Sequence, residues 1–275
     1  MNVSDRAREL VWQAERDLTP VFSRVDAIEM VTQTRVLEAF WQARVSTRHF
    51  APSTGYGYDD VGRDTLDAVF AQALQAENAL VRPQFVNGTH ALFVALAGLS
   101  EPGDTIFSVT GAPYDTLRQA IGIEGDAPNS LKRQGVRFRA VALAEDAVAL
   151  NECLEALHDP RVRIVYAQRS RGYAWRSALS IEAMGEAFAA IHTARPDIVI
   201  LVDNCYGEFV EGREPTAVGA DVIVGSLIKN PGGGLAPTGG YAAGRADCIS
   251  RIAQRLTVPG MGAEVGSYAG DYRPF

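Results

Sequence analysis

Ile198-Val199-Ile200-Leu201-Val202-Asp203-Asn204-Cys205-Tyr206-Gly207 is the stretch on which the fold turns. Five consecutive apolar residues, four of them β-branched, predict a strand buried on both faces, as in the interior of a parallel sheet. Asp203 ends the run, and in open α/β sheets ligands gather outside the carboxyl ends of the strands. Working outward, short β-branched runs alternate with helical periods. Upstream lie a helix at 89–99, a strand at 104–110, a helix at 114–122, a strand at 136–142, a helix at 146–157, a strand at 162–168 and a helix at 180–194. Downstream follow strands at 221–225 and 237–243 and a helix at 246–256. This alternation predicts an α/β fold with a mostly parallel sheet and helices on both faces.

Residues 4–45 carry apolar side chains at helical spacing (Leu10, Val11, Ala14, Leu18, then Val36, Leu37, Phe40, Trp41) and read as an N-terminal helical arm. A glycine and tyrosine loop follows at 53–60, and a helical period resumes from Arg63 to Ala79. The expected division is therefore an arm and loop over 1–80 and a large domain over 81–275. From Pro259 to Phe275 no terminating element is legible, so a shortened chain is expected.

Composition excludes several classes. With 47% hydrophobic and 21% charged residues the chain is that of an ordinary globular protein. A net charge of -7 argues against a general nucleic-acid or anionic-membrane binder, although a local positive pocket can still take an anion. The odd number of cysteines (Cys153, Cys205, Cys248), without a CxxC pair, fits a reducing cytoplasm. The charged N-terminus lacks an apolar signal core, and no run approaches the roughly 18 residues that span a bilayer, so neither export nor membrane insertion is expected. His49, His90, His158 and His192 form no HExxH spacing, so no metal site is expected. Walker A and GxGxxG patterns are absent, which ranks a nucleotide-binding protein last.

The residues that can carry chemistry lie where strands end. Asn87-Gly88-Thr89-His90-Ala91 opens an apolar helix, where free N–H groups favour a phosphate; an ordinary N-cap is the alternative. Desolvation would raise the pKa of Asp203 unless hydrogen bonds or a cation, such as a pyridinium, keep it ionised; the alternative is that it caps the turn that follows. Lys229, 26 residues downstream, lies among apolar residues and glycines just past the 221–225 strand. Burial would lower its pKa and free the amine to attack a carbonyl; a solvated lysine is the alternative. Ser226 can donate to a phosphate or make a turn. Tyr114 can lie on a planar cofactor or pack in the core. Arg169 and Arg171 can grip a carboxylate bidentately or sit in a solvated loop. His90 lines the pocket or is structural.

The ordered set Gly88-Thr89, Tyr114, Asp203, Ser226-x-x-Lys229 resembles fold-type I pyridoxal 5′-phosphate (PLP) enzymes of the cystathionine and methionine lyase branch. TGYGYDDVGRDTL (54–66), FVNGTHA (85–91), GAPYDTL (111–117), QRSRGYAWRSALS (168–180), VDNCYGEF (202–209) and GSLIKNPGGGLAPTGGY (225–241) are similar to the methionine γ-lyase-like family often labelled aluminium resistance proteins. The similarity runs from about residue 30 to the end.

This resemblance implies that Lys229 binds PLP as a Schiff base and shuttles protons, and that Asp203 pairs with the pyridine nitrogen. Tyr114 would stack on the ring, and Gly88, Thr89 and Ser226 would hold the phosphate. It further implies a homodimer or homotetramer in which Tyr56 or Tyr58, with Arg63, reaches the phosphate of a neighbouring subunit. Ile228 stands where the branch usually has a hydroxyl residue. The family's smaller C-terminal domain, with its arginine for the substrate carboxylate, has no counterpart here, which leaves that role to Arg169 or Arg171. The implied activity is elimination from a sulfur amino acid of the cystathionine, methionine or cysteine type. Another PLP-dependent transferase, or a non-catalytic stress-related protein on the same fold, is the alternative.

Overall fold

The computed structural model describes residues 3–143 and 147–275. Its strands are β1 (Asn78–Arg82), β2 (Thr105–Ser108), β3 (Arg137–Ala140), β4 (Val162–Gln168), β5 (Val199–Asp203), β6 (Val222–Ser226) and β7 (Gly240–Gly244). They form one sheet in the order β1-β7-β6-β5-β4-β2-β3. Only β7 runs antiparallel to its neighbours, so the carboxyl ends of β1, β2, β4, β5 and β6 share one edge.

Helices cover both faces, as the alternation requires. On one side α2 (Val61–Ala73), α5 (Leu150–Ala156) and α6 (Ile181–Ala194) pack through Phe70, Cys153, Met184 and Phe188 on the inner residues of β4 and β5, including Val165, Ile200 and Val202. On the other, α3 (Gly88–Leu99), α4 (Asp115–Ile121) and α7 (Ala246–Leu256) bring Leu92, Leu96, Leu117, Ile249 and Ile252 against Ile106, Ile164 and Leu201. The run 198–202 is buried on both faces because alternate side chains feed each core.

Three expectations need correction. The helical period of 63–79 ends at Ala73, and β1 follows at once. Arg82, a charge inside the strand, hides it in the sequence; the structure buries this residue against Asp67 at 2.7 Å. Residue 80 thus falls within β1, and α2 contributes to the core of the sheet as well as packing on the arm. The helices of residues 4–45 are one helix, α1 (Asp5–Gln42), which runs through Pro20 and is started by the Ser4 side chain accepting from Ala7 N–H. The helix expected from 146 begins at a residue outside those described, and its described part is α5.

Residues 265–275 fold back onto the glycine and tyrosine loop. Gly266 N–H donates to Tyr56 C=O at 2.9 Å, Ser53 N–H to Tyr268 C=O at 2.9 Å, and Tyr272 OH to Asp60 at 2.8 Å. Among the described residues no helix is long and apolar enough to cross a membrane.

Candidate active site

The last residue of β5 is Asp203, 2% exposed. Its hydrogen-bond partners are the Cys205 N–H at 3.1 Å and the Tyr166 hydroxyl at 3.5 Å, both uncharged. Burial pushes its carboxyl up to about 6, against those hydrogen bonds. A carboxylate in this setting suits a cation brought in by a ligand.

Around it the sheet edge gathers most of the other candidates. α3 starts at Gly88, capped by the Asn87 side chain accepting from His90 N–H at 2.9 Å. A Cβ added at Gly88 would lie 3.1 Å from Ser226 Cβ and 3.4 Å from Cys205 Sγ, so the helix start, the end of β6 and the turn after β5 meet here. The Tyr114 hydroxyl donates to Thr89 Oγ1 at 3.1 Å, and Thr89 Oγ1 also lies 3.2 Å from Thr116 Oγ1. Burial, then the charge of Asp203, raises the Tyr114 phenol well above its ordinary value, so it stays a neutral donor. The Gln168 side chain, at the end of β4, accepts from Tyr114 N–H at 3.3 Å. Ser226 is buried and its hydroxyl accepts from Ile228 N–H at 3.4 Å.

Lys229 departs from the expected buried, acidified lysine. It is half-buried, its amine is hydrogen-bonded to the Tyr206 hydroxyl and lies 4.4 Å from the Tyr206 ring centroid. That hydrogen bond, opposed by partial burial, holds the amine above its ordinary pKa.

The arginines divide. Arg169 is 2% exposed, and its guanidinium donates to Asn204 Oδ1 at 2.9 Å, Gly207 C=O at 2.6 Å and Glu211 at 2.7 Å. It braces the turn that carries Asp203 rather than offering a free fork to a substrate. Arg171 is exposed, its guanidinium 5.8 Å from the Trp175 ring centroid, and a cleft of about 450 Å³ beside it is lined by Arg169, Leu179, Tyr206, Val210 and Glu211. Arg63 is buried, donates to Gly57 C=O at 2.6 Å and pairs with Asp64 at 2.8 Å, contacts that shape the loop beside Tyr56 and Tyr58. Tyr56 and Tyr58 are exposed and stacked on each other at 5.7 Å. His90 takes the structural role, its Nδ1 accepting from Val86 N–H at 3.1 Å and its ring against Phe85.

Sequence reasoning passed over Tyr206 and the buried pair Glu208 and Tyr241. Tyr241 OH donates to Glu208 Oε1 at 2.8 Å, whereas Glu208 Oε2 has no hydrogen-bond partner. Burial pushes the Glu208 carboxyl up to about 8. The available signal was adjacency, since both Tyr206 and Glu208 sit in the turn directly after the decisive strand.

Comparison with known proteins shows the family. The family model described as methionine gamma-lyase matches residues 7–274. A carbon-sulfur lyase involved in aluminum resistance from Clostridium novyi NT superposes with a TM-score of 0.94 at 49% identity, covering 99% of this chain and 65% of that one. The uncharacterized protein YnbB of Bacillus subtilis is 42% identical over 261 residues, 94% of this chain and 62% of its own. CalE6, a methionine gamma lyase from Micromonospora echinospora, superposes with a TM-score of 0.56 at 26% identity, over 80% of this chain and 55% of its own. The chain thus spans between 55% and 65% of these relatives' lengths, and its α/β fold is that of fold-type I PLP-dependent enzymes. On a match that runs almost end to end, this chain belongs to the methionine gamma-lyase family.

Proposed function

We propose that this chain is the cofactor-binding part of a PLP-dependent carbon–sulfur lyase that acts by elimination on a sulfur amino acid of the cystathionine, methionine or cysteine type. The observation that carries the reading is Asp203: a buried carboxylate with no charged partner, on the same sheet edge as Lys229, Tyr114 and the start of α3. The donor set fits PLP, with a carboxylate for the pyridine nitrogen, a helix start with Thr89 and Ser226 for the phosphate, Tyr114 for the ring and Lys229 for covalent attachment. When bound, PLP supplies an electron sink for the bond-breaking at the substrate.

The chain's own groups do the rest. Asp203 would hold the pyridine nitrogen as an anion beside a cation. Tyr114 keeps its phenolic proton and fixes Thr89 through their hydrogen bond. The Lys229 amine, when free, would take the substrate Cα proton and protonate the leaving thiolate. Tyr56, exposed on its loop, would complete the phosphate site of a second copy, which makes a homodimer or homotetramer the working form. Of the two candidate guanidiniums Arg171 is the exposed one, and it would meet a substrate carboxylate at the cleft beside Tyr206.

Borohydride reduction in the presence of PLP tests the assignment sharply, because the chain has two lysines, Lys132 and Lys229. The label should map to Lys229. Label on Lys132 alone, or none on folded protein, overturns the reading. Assays for thiol, ammonia and 2-oxo acid with cystathionine, methionine and cysteine then identify the substrate; none released from any of them by PLP-loaded protein counts against a lyase.

A further inference from the structure

Tyr206 has no part in the reading above, yet its conformation needs a cause. Its φ of +67° is in the left-handed region, which a bulky aromatic residue seldom occupies without compensation. Burial does not supply it, since the side chain is 56% exposed. The hydroxyl instead meets the Lys229 amine, and the ring lies under the same nitrogen at 4.4 Å.

The turn that presents Tyr206 is held from several directions. Gly207 N–H closes it on Asn204 C=O at 2.7 Å. Arg169 grips Asn204 Oδ1 and Gly207 C=O from beneath. Gly207 has no space for a side chain, because a Cβ there would lie 2.5 Å from Arg169 Cδ and 2.8 Å from Asn204 Oδ1. Upstream, the turn is continuous with Asp203, whose carboxylate accepts from Cys205 N–H. Downstream, Asn230 Nδ2 donates to Glu208 C=O at 3.0 Å, which ties the lysine loop to the same segment. Asp203, Tyr206 and Lys229 therefore belong to one braced unit.

We infer that Tyr206 is a positioning residue for Lys229: hydroxyl and ring together hold the amine in one pose whenever it is free, and from that pose it enters and leaves covalent attachment. The inference rests on Lys229 being the attachment point. The other titratable groups that face the amine are Cys205, from the same turn, and Tyr173, from the loop after β4; both act in the same direction as Tyr206, and the hydrogen bond to Tyr206 is the largest influence. A held, charged amine reacts with a carbonyl only after losing its proton, so the contact sets the pH at which Lys229 becomes a nucleophile.

The test reads Lys229 directly in the cofactor-free protein. Trace acetylation across pH, with mass spectrometry of the Lys229 peptide, gives its reactivity relative to the exposed Lys132 as an internal standard. Because Tyr206 and Lys229 are partly open to water, removing this hydrogen bond has the effect of an ordinary one and should make Tyr206→Phe roughly three- to tenfold more reactive at Lys229 below its midpoint, with Lys132 unchanged. Tyr206→His, which restores a hydrogen-bonding group, should bring the profile back toward that of the parent. The pH midpoint for capture of PLP, followed by its absorbance, should move down with Tyr206→Phe as well. An unchanged Lys229 profile in folded Tyr206→Phe overturns the inference, whatever happens to turnover. Absence of borohydride label on Lys229 in the parent protein is a separate failure, of the attachment assignment, and leaves the acetylation result interpretable as a statement about the contact alone.

Discussion

Asp203 and Glu208, two of the buried carboxyl groups near the turn after β5 that burial tunes upward, both tie stability to pH. The ordinary value for Asp203 is 3.8 and burial raises it to about 6, so the folded chain holds its proton more tightly than the unfolded one. The stability this gives is present in full below about 3.8 and is lost as pH rises through about 6. Asp203→Asn, which mimics the protonated form, should therefore raise the urea midpoint of cofactor-free protein at pH 8 and leave it nearly unchanged at pH 4. The same substitution should weaken PLP binding by about 10- to 100-fold, the size of a lost charge-assisted hydrogen bond, as read by absorbance titration. Glu208 follows the same sign over a wider window: its contribution is intact below about 4.5 and disappears as pH climbs through about 8. Glu208→Gln should flatten the fall of the urea midpoint between these limits, and a fall as steep as the parent's would show that Glu208 does not titrate there. What was legible at this scale was position: Asp203, Gly88, Thr89, Tyr114, Ser226 and Lys229 follow strands or open a helix at one sheet edge, whereas the half-buried, hydrogen-bonded state of Lys229 was not. Arg169 and Tyr206 were misjudged or missed, because their roles depend on contacts with Asn204, Gly207 and Lys229 that spacing along the chain does not encode.

At the level of elements, strands buried on both faces were easy to read and the sheet edge was not. β5 and β6 announce themselves by unbroken apolar runs, whereas β1 carries Arg82 among Leu80 and Val81 and follows a helix without a clear stop. The pair that makes this strand possible joins Arg82 to Asp67 at 2.7 Å, and Asp67 also accepts from Val81 N–H at 2.7 Å. Its two partners are not equivalent. Burial lifts the Asp67 carboxyl to about 6, so it can take a proton when its cation is removed, whereas an arginine stays charged. Asp67→Ala should therefore cost about 3 kcal/mol, the usual penalty for stranding a buried charge. Arg82→Met, which keeps the apolar stem, should cost clearly less at pH 6 and approach the same loss at pH 9. Equal costs at both pH values, measured by denaturant unfolding, would falsify this account of the pair.

For the whole molecule the unexplained feature is α1, a helix of 38 residues and so about 57 Å long at ~1.5 Å per residue. Its buried residues, Thr32 and Ala39, lie toward its carboxyl end, where Val36 and Ala39 pack with Val69 and Ala73 of α2. Here Arg35 donates to Ala73 C=O and Gly212 C=O and lies 3.5 Å from Glu214, which accepts from Asn204 in the turn beside Asp203. The seating of the arm is thus linked by two polar contacts to the cofactor turn. Farther toward the N-terminus, Val11, Leu18, Phe22 and Val25 recur at helical spacing and are between 43% and 56% exposed. An apolar stripe of this extent fits a contact surface. If Tyr56 completes the phosphate site of a second copy, as proposed above, a second copy of the chain is the occupant. On that reading the parent protein should sediment as a dimer or larger, and Val11→Glu combined with Phe22→Glu should shift it toward monomer while leaving the far-UV spectrum of the sheet domain in place. If Tyr56 acts across that contact, the monomeric variant and Tyr56→Phe in the assembled protein should lose PLP affinity together. Loss of affinity in Tyr56→Phe with none on dissociation would put the tyrosine in its own chain's site, and retention of the parent assembly by the double variant would show that the arm's apolar face is not what joins the copies.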